Sequence, residues 1–79
     1  SMARDIRLSR HIYRYWRYGP SGTTIVAKYG SIYPDRVILW DKNDKCFEIP
    51  MSELSETDRK YLDNLLSDII QYHSADNEY

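Results

Sequence analysis

The spacing of apolar positions changes character along the chain. The run Val37-Ile38-Leu39-Trp40 is apolar without a break, so both faces of an extended segment from Arg36 to Trp40 want cover, as in a central strand. Upstream, Thr23 to Tyr29 alternates. Ile25, Ala27 and Tyr29 share one face, Val26 and Lys28 the other, which predicts a second strand. Cys46 to Ile49 predicts a third, with Phe47 and Ile49 aligned. Pro50 has no amide hydrogen for a ladder, so it ends that strand or lies on an edge. From Ser55 to His73 the period becomes helical. Leu62, Leu65, Leu66, Ile69 and Ile70 fall at spacings of three and four and make one apolar stripe. Ser55 is placed to cap this helix, and Glu56 and Asp58 lie in its first turn, where the helix dipole favours anions. Ser55-Glu56-Thr57-Asp58 is a shortened capping box.

The front of the chain carries two signals. Leu8, Ile12, Tyr15 and Trp16 have helical spacing. The stretch from His11 to Tyr18 is crowded with aromatic rings, which favour a pleated strand. The periodicity does not separate the two, and the ring content selects a strand over residues 12–18. Gly19-Pro20-Ser21-Gly22 reads as a turn. Gly30-Ser31 reads as the opening of a second connection that closes at Pro34-Asp35. Asp41 to Lys45 reads as a hairpin loop.

Four short strands followed by one helix predict a mainly β domain with a C-terminal α-helix. Its sheet is expected to curl into a small barrel of four to five short antiparallel strands closed by the helix. Ser1-Met2 reads as a tag remnant, residues 3–11 as a basic N-terminal arm, 12–73 as the single domain, and 74–79 as an acidic flexible tail.

Composition narrows the range of functions. Seventy-nine residues support one core, a stability of about 5 kcal/mol and no internal cavity to hold a cofactor. The single cysteine, Cys46, cannot form an internal disulfide and fits a reducing, cytoplasmic setting. No apolar run approaches a membrane span, so no membrane insertion is expected. The net charge is −1, yet the charges are segregated. Residues 1–36 hold seven Lys/Arg against two acids, and residues 37–79 hold four against ten. Either the halves pair within the fold, or one face is basic and serves a partner.

Little in the sequence points to catalysis. Cys46, His11 and His73 are far apart in sequence and lack metal-ligand spacing, and nothing activates Cys46 as a nucleophile. Asp41, Asp44 and Glu48 lie around a hairpin, where acids serve turns and solubility. Asp58, Asp63 and Asp68 read as a solvated helix face. The Gly19/Gly22 pair has neither the length nor the Lys-Ser/Thr ending of a phosphate loop. We therefore expect no catalytic residue, metal or cofactor. Arg10, Arg14 and Arg17, interleaved with tyrosines, have the ingredients of single-stranded nucleic-acid binding, although the isoelectric point near 6.0 runs against it. Homodimerisation through an unpaired edge or through Ile70 and Tyr72 is a further alternative.

Several residues together resemble a known module. Arg14-Tyr15-Trp16 supplies an opening Arg-x-Trp, Ser21-Gly22-Thr23 a turn, and Ala27 a small strand residue. Val37 and Leu39 give Val-x-Leu, Lys45 follows the hairpin tip, and Pro50 ends the next strand. Leu54-Ser55-Glu56-Thr57-Asp58 and Tyr61 give Leu-Ser-x-x-Asp-x-x-Tyr. Over residues 14–65 this pattern is similar to the Sla-homology domain (first type) of fungal endocytic adaptors. The resemblance implies a Src-homology-type small barrel that binds peptides carrying Asn-Pro-Phe-x-Asp. The hairpin Trp40-Asp41-Lys42-Asn43-Asp44 departs from the family in carrying acids and no tip glycine.

The expected role is thus a non-catalytic module that takes a short peptide or protein partner in an aromatic groove. Tyr15, Tyr18, Tyr29, Tyr33 and Trp40 are the candidate rings, because tyrosine and tryptophan bring contact area with little rotamer entropy. Arg17, Lys28, Arg36 and Lys42 are the candidates for charge pairing.

Overall fold

The computed structural model describes residues 10–76, with side chains through Asp68. The tag remnant, most of the basic arm and residues 77–79 of the expected tail lie outside the described residues.

Strands β1 (Arg14–Tyr18), β2 (Thr23–Ile32), β3 (Arg36–Asp41) and β4 (Cys46–Pro50) form one antiparallel sheet in the order β1-β2-β3-β4. A 3-10 turn, Met51–Glu53, leads to helix α1, Glu56–Asp76. The expected strands in the middle of the chain are all present, and the Val37-to-Trp40 run is central as its two-faced apolar character requires. Helix α1 continues through Ser74, Ala75 and Asp76, so the tail expected from residue 74 is helical at its start. Strand β1 begins at Arg14 rather than residue 12, leaving Ile12 and Tyr13 ahead of the ladder and exposed.

Strand β2 is longer than its alternation suggests, and the reason is Gly30. Residues 23–27 pair with β1 and residues 27–32 with β3. Ala27 is the one position paired on both sides, opposite Arg14 and Asp41, and it is fully buried. The register then slips by one residue between Tyr29 and Ser31. This bulge reverses the parity of the strand. Ala27 and Tyr29 point into the core before it, and Ile32 packs against the core after it. The expected connection at Gly30-Ser31 is therefore strand, and the chain turns only at Tyr33–Asp35, closed by Tyr33 N donating to Arg36 O at 2.8 Å.

The sheet is not closed into a barrel. Strands β1 and β4 do not pair. The chain after β4 crosses to the far edge of β1 and makes one bridge there, Leu54 with Tyr18. Gly19 N donates to Glu53 O and Ser55 N to Arg17 O, each at 2.9 Å. These bonds occupy edge groups of β1 that would otherwise be open to another chain.

Trp16, Ala27, Tyr29, Val37, Leu39, Ile49, Leu54, Leu62 and Leu65 form the core. The indole of Trp16 is fully buried, and its Nε1 donates to Ala27 O at 2.9 Å, so the largest ring in the core leaves no orphan polar atom. Helix α1 contributes Leu62 and Leu65, each worth about 1.5–3 kcal/mol on burial. Its inward stripe also begins earlier than apolar spacing shows. Asp58 is only 3 % exposed, and Tyr61 packs on the core beside it. This corrects the expectation of a solvated Asp58, while Asp63 and Asp68 are exposed.

Candidate functional site

Alternation on β1 separates its residues by fate. Arg14, Trp16 and Tyr18 face inward, and Tyr15 and Arg17 face outward. The outward residues continue across the sheet. Tyr15 is opposite Val26, Lys28 is opposite Trp40, and Trp40 is opposite Cys46. Tyr13, just ahead of β1, has the Lys28 and Lys42 ammonium groups each 5.6 Å from its ring centroid. Such cation–ring contacts contribute about 0.5–1 kcal/mol at an exposed site. Among the described residues neither lysine has an ion-pair partner. Tyr15 is 72 % exposed, and Val26, Tyr13 and Ile12 are exposed as well. Val26, Asp41, Lys42 and Asn43 line a shallow depression beside them.

Trp40 belongs to this face and passes closely over Gly30. A Cβ on Gly30 would come within 2.7 Å of the indole Nε1. The bulge glycine thus lets the ring settle on the backbone, half-buried. The hairpin tip that carries Lys42 is fixed by Asp41, whose Oδ1 accepts from Asn43 N at 2.8 Å and Lys45 N at 2.9 Å. Asp44 sits at φ 60°, a conformation that Asp tolerates. Asp41 is therefore a turn-former with its carboxylate engaged.

Of the nine sequence-predicted binding residues, the structure gathers Tyr15, Arg17, Lys28, Trp40 and Lys42 on this outer face. Tyr29 is overturned. It is 5 % exposed and part of the core, because the Ala27–Tyr29 face of β2 points inward. Tyr18 is half-buried against the core and faces inward with Trp16. Tyr33 and Arg36 lie at the β2–β3 connection as a separate, self-satisfied group. The Arg36 guanidinium stacks on the Tyr33 ring at 4.1 Å, contacts Asp35 at 2.9 Å and reaches Glu48 at 2.7 Å. Its hydrogen bond to Asp35, more than any other contact, raises its pKa. Arg17 packs its guanidinium over Gly22, which at φ +69° has no Cβ to block it.

Sequence reasoning placed Tyr13 among the clustered rings but not among the binding residues. Its signal was the alternation itself, since Tyr13 and Tyr15 share parity. Sequence reasoning also missed a polar junction behind the face. Asp58 accepts from Arg17 N at 2.7 Å and from Ser55 Oγ at 2.8 Å, and its Oδ1 lies 2.9 Å from Arg14 Nη1. Arg14 Nη1 is buried and makes this contact as an ion pair, not as an aligned hydrogen bond. The Arg14 guanidinium also lies 4.4 Å from the Trp16 ring and 4.2 Å from the Tyr61 ring. The two rings meet edge to face at 5.7 Å.

This junction completes the capping box in an unusual way. Ser55 Oγ receives Asp58 N at 3.3 Å as a cap should. The Asp58 carboxylate does not return to Ser55 N but takes the amide of Arg17, while Ser55 N donates to Arg17 O. One residue of β1 is thus inserted into the box. Arg14, Trp16, Leu54, Ser55, Asp58 and Tyr61 are the residues of the Arg-x-Trp and Leu-Ser-x-x-Asp-x-x-Tyr patterns, and here they build strand-to-helix attachment.

Burial raises the Tyr61 phenol above its ordinary value of 10.0, with a smaller contribution from Tyr29 and an opposing one from Arg14. An unfolded chain loses that proton first. The attachment is at full strength below pH 10 and weakens as pH rises through the raised folded value. Ultraviolet titration should show one phenol ionising above the ordinary tyrosine range, with unfolding midpoints that fall above pH 10. A Tyr61→Phe variant that keeps the same alkaline loss would show that another group is responsible.

Among the described residues no three His, Cys, Asp or Glu side chains converge as a metal site requires, and no helix is long and apolar enough to cross a membrane. Cys46 is an exposed free thiol. Comparison with protein-family models, with curated proteins and with solved structures returns no match.

Proposed function

We propose that this chain is a non-catalytic binding module that receives a short acidic peptide on the outer face of its sheet. The supporting observation is the Tyr13 ring with two lysines against it that lack acid partners, next to exposed Tyr15 and Val26 and the half-buried Trp40. Lys28 and Lys42 offer charge to a carboxylate, and the rings offer an apolar seat to a neighbouring side chain. The role is that of a cytoplasmic adaptor domain of the Sla-homology kind. A small-barrel reading is supported by a β2 shared between two strand pairs and by the Tyr18–Leu54 bridge. The alternative of single-stranded nucleic acid is weakened by Arg14, whose charge is engaged by Asp58 behind the face.

The test is an NMR titration of the whole chain with an Asn-Pro-Phe-x-Asp peptide. Shifts are expected at Tyr13, Tyr15, Lys28 and Lys42. Tyr13→Ala should weaken binding by about 2 kcal/mol, roughly thirtyfold. A titration that moves no resonance on this face rejects the peptide. A single-stranded oligonucleotide that binds there with a steep salt dependence transfers the face to nucleic acid.

A further inference from the structure

We propose that Arg14 is a positioning residue for the outer face, so that docking of helix α1 and the geometry of the ligand-binding rings are coupled; the link to a ligand rests on the peptide reading above. Arg14 stands between Tyr13 and Tyr15 in the chain and points the opposite way. Its guanidinium is held by three groups, and two of them come from α1: the Asp58 carboxylate at 2.9 Å and the Tyr61 ring at 4.2 Å. The third is the Trp16 ring at 4.4 Å. Tyr13 precedes the first ladder pair, Arg14 with Ala27. Its position over Lys28 and Lys42 therefore depends on where the anchored Arg14 backbone delivers it.

The helix fixes the same strand at a second point. Asp58 and Ser55 hold the amide and carbonyl of Arg17. The first turns of α1 thus restrain β1 near both ends, on the side away from the lysines. A helix that loosens its grip releases the lead-in to β1 and lets Tyr13 leave the lysine pair. By reciprocity, a ligand that requires Tyr13 in place tightens the attachment of α1. Arginine suits the position because its planar guanidinium stacks on two rings while it contacts a carboxylate. A lysine keeps the charge and loses the stacking.

The test is Arg14→Lys in the whole chain, which leaves a cation beside Asp58. In the parent protein the side-chain methylene protons of Lys28 and Lys42 should carry upfield ring-current shifts from Tyr13. In the variant these shifts should fall by at least half, with Trp16 and Leu39 resonances still those of a folded core. Affinity for the Asn-Pro-Phe-x-Asp peptide should fall about fivefold although Arg14 does not reach the outer face. Unchanged Lys28 and Lys42 shifts in a folded variant overturn the coupling. If Arg14→Lys does not fold, Tyr61→Leu, which removes the one ring that α1 packs against Arg14, is read by the same shifts. A parent protein that shows the ring-current shifts but binds no peptide sinks the peptide reading alone and leaves the positioning role standing.

Discussion

Asp58→Ala is expected to remove more than half of the protein's stability at 25 °C. The side chain is nearly inaccessible, and one carboxylate serves Arg14, the Arg17 amide and the Ser55 hydroxyl. Alanine strands a partly buried guanidinium whose side chain is 23 % exposed, and it removes the acceptor of a strand amide. Breaking a buried pair from one side costs about 3–5 kcal/mol. The residual exposure of Arg14 places this case near the lower end of that range. Against a total of about 5 kcal/mol for a domain of this size, even that leaves little reserve. Urea unfolding followed by circular dichroism should show the midpoint falling by half or more. A loss under about 1 kcal/mol would mean that water replaces the carboxylate freely and that the junction is not an anchor.

Trp16→Ala should cost about 3–5 kcal/mol through the cavity left by a large buried ring. It also removes the hydrogen bond to Ala27 O and the ring face on which Arg14 rests. The thermal midpoint should fall by about 12 °C or more, since each kcal/mol shifts a domain of this size by about 4–8 °C. Trp16→Phe should recover part of this loss, because a ring still fills the space although the Ala27 carbonyl loses its donor. Trp16→Phe combined with Asp58→Asn should cost less than the two single losses together, because both act on Arg14. Strict additivity would show that the indole and the carboxylate support the strand independently. Such a result would also weaken the coupling assigned to Arg14.

The turns and the start of the helix were legible in the sequence because their causes are local. Gly22 at φ +69° and Gly19 at φ +78° occupy turn positions that suit glycine, and Ser55 caps α1 as its spacing with Asp58 suggests. The bulge was not legible. Gly30 reads as a breaker in a linear scan, and only pairing with β3 shows the strand continuing with its parity reversed. That reversal does not alter Tyr29, which precedes it. Tyr29 was mistaken for a ligand residue because a tyrosine on an alternating strand looks alike whether its face is covered or open. Of the two possibilities for the segregated charges, internal pairing accounts for Arg14 with Asp58 and Arg36 with Glu48. Lys28 and Lys42 remain available for the other.

By itself, the sequence determined the succession of pleated segments, the turns at 19–22 and 41–45 and the helix with its serine cap, since each follows from local backbone preference or from the period of the apolar residues. The tertiary structure decided which side of the tyrosine-rich first strand turns inward and which arginine meets Asp58. A strand with large rings on both faces satisfies its alternation equally well either way. The choice is made by distant groups, Ala27 receiving the Trp16 indole and the first turn of α1 receiving Arg14 and the Arg17 amide.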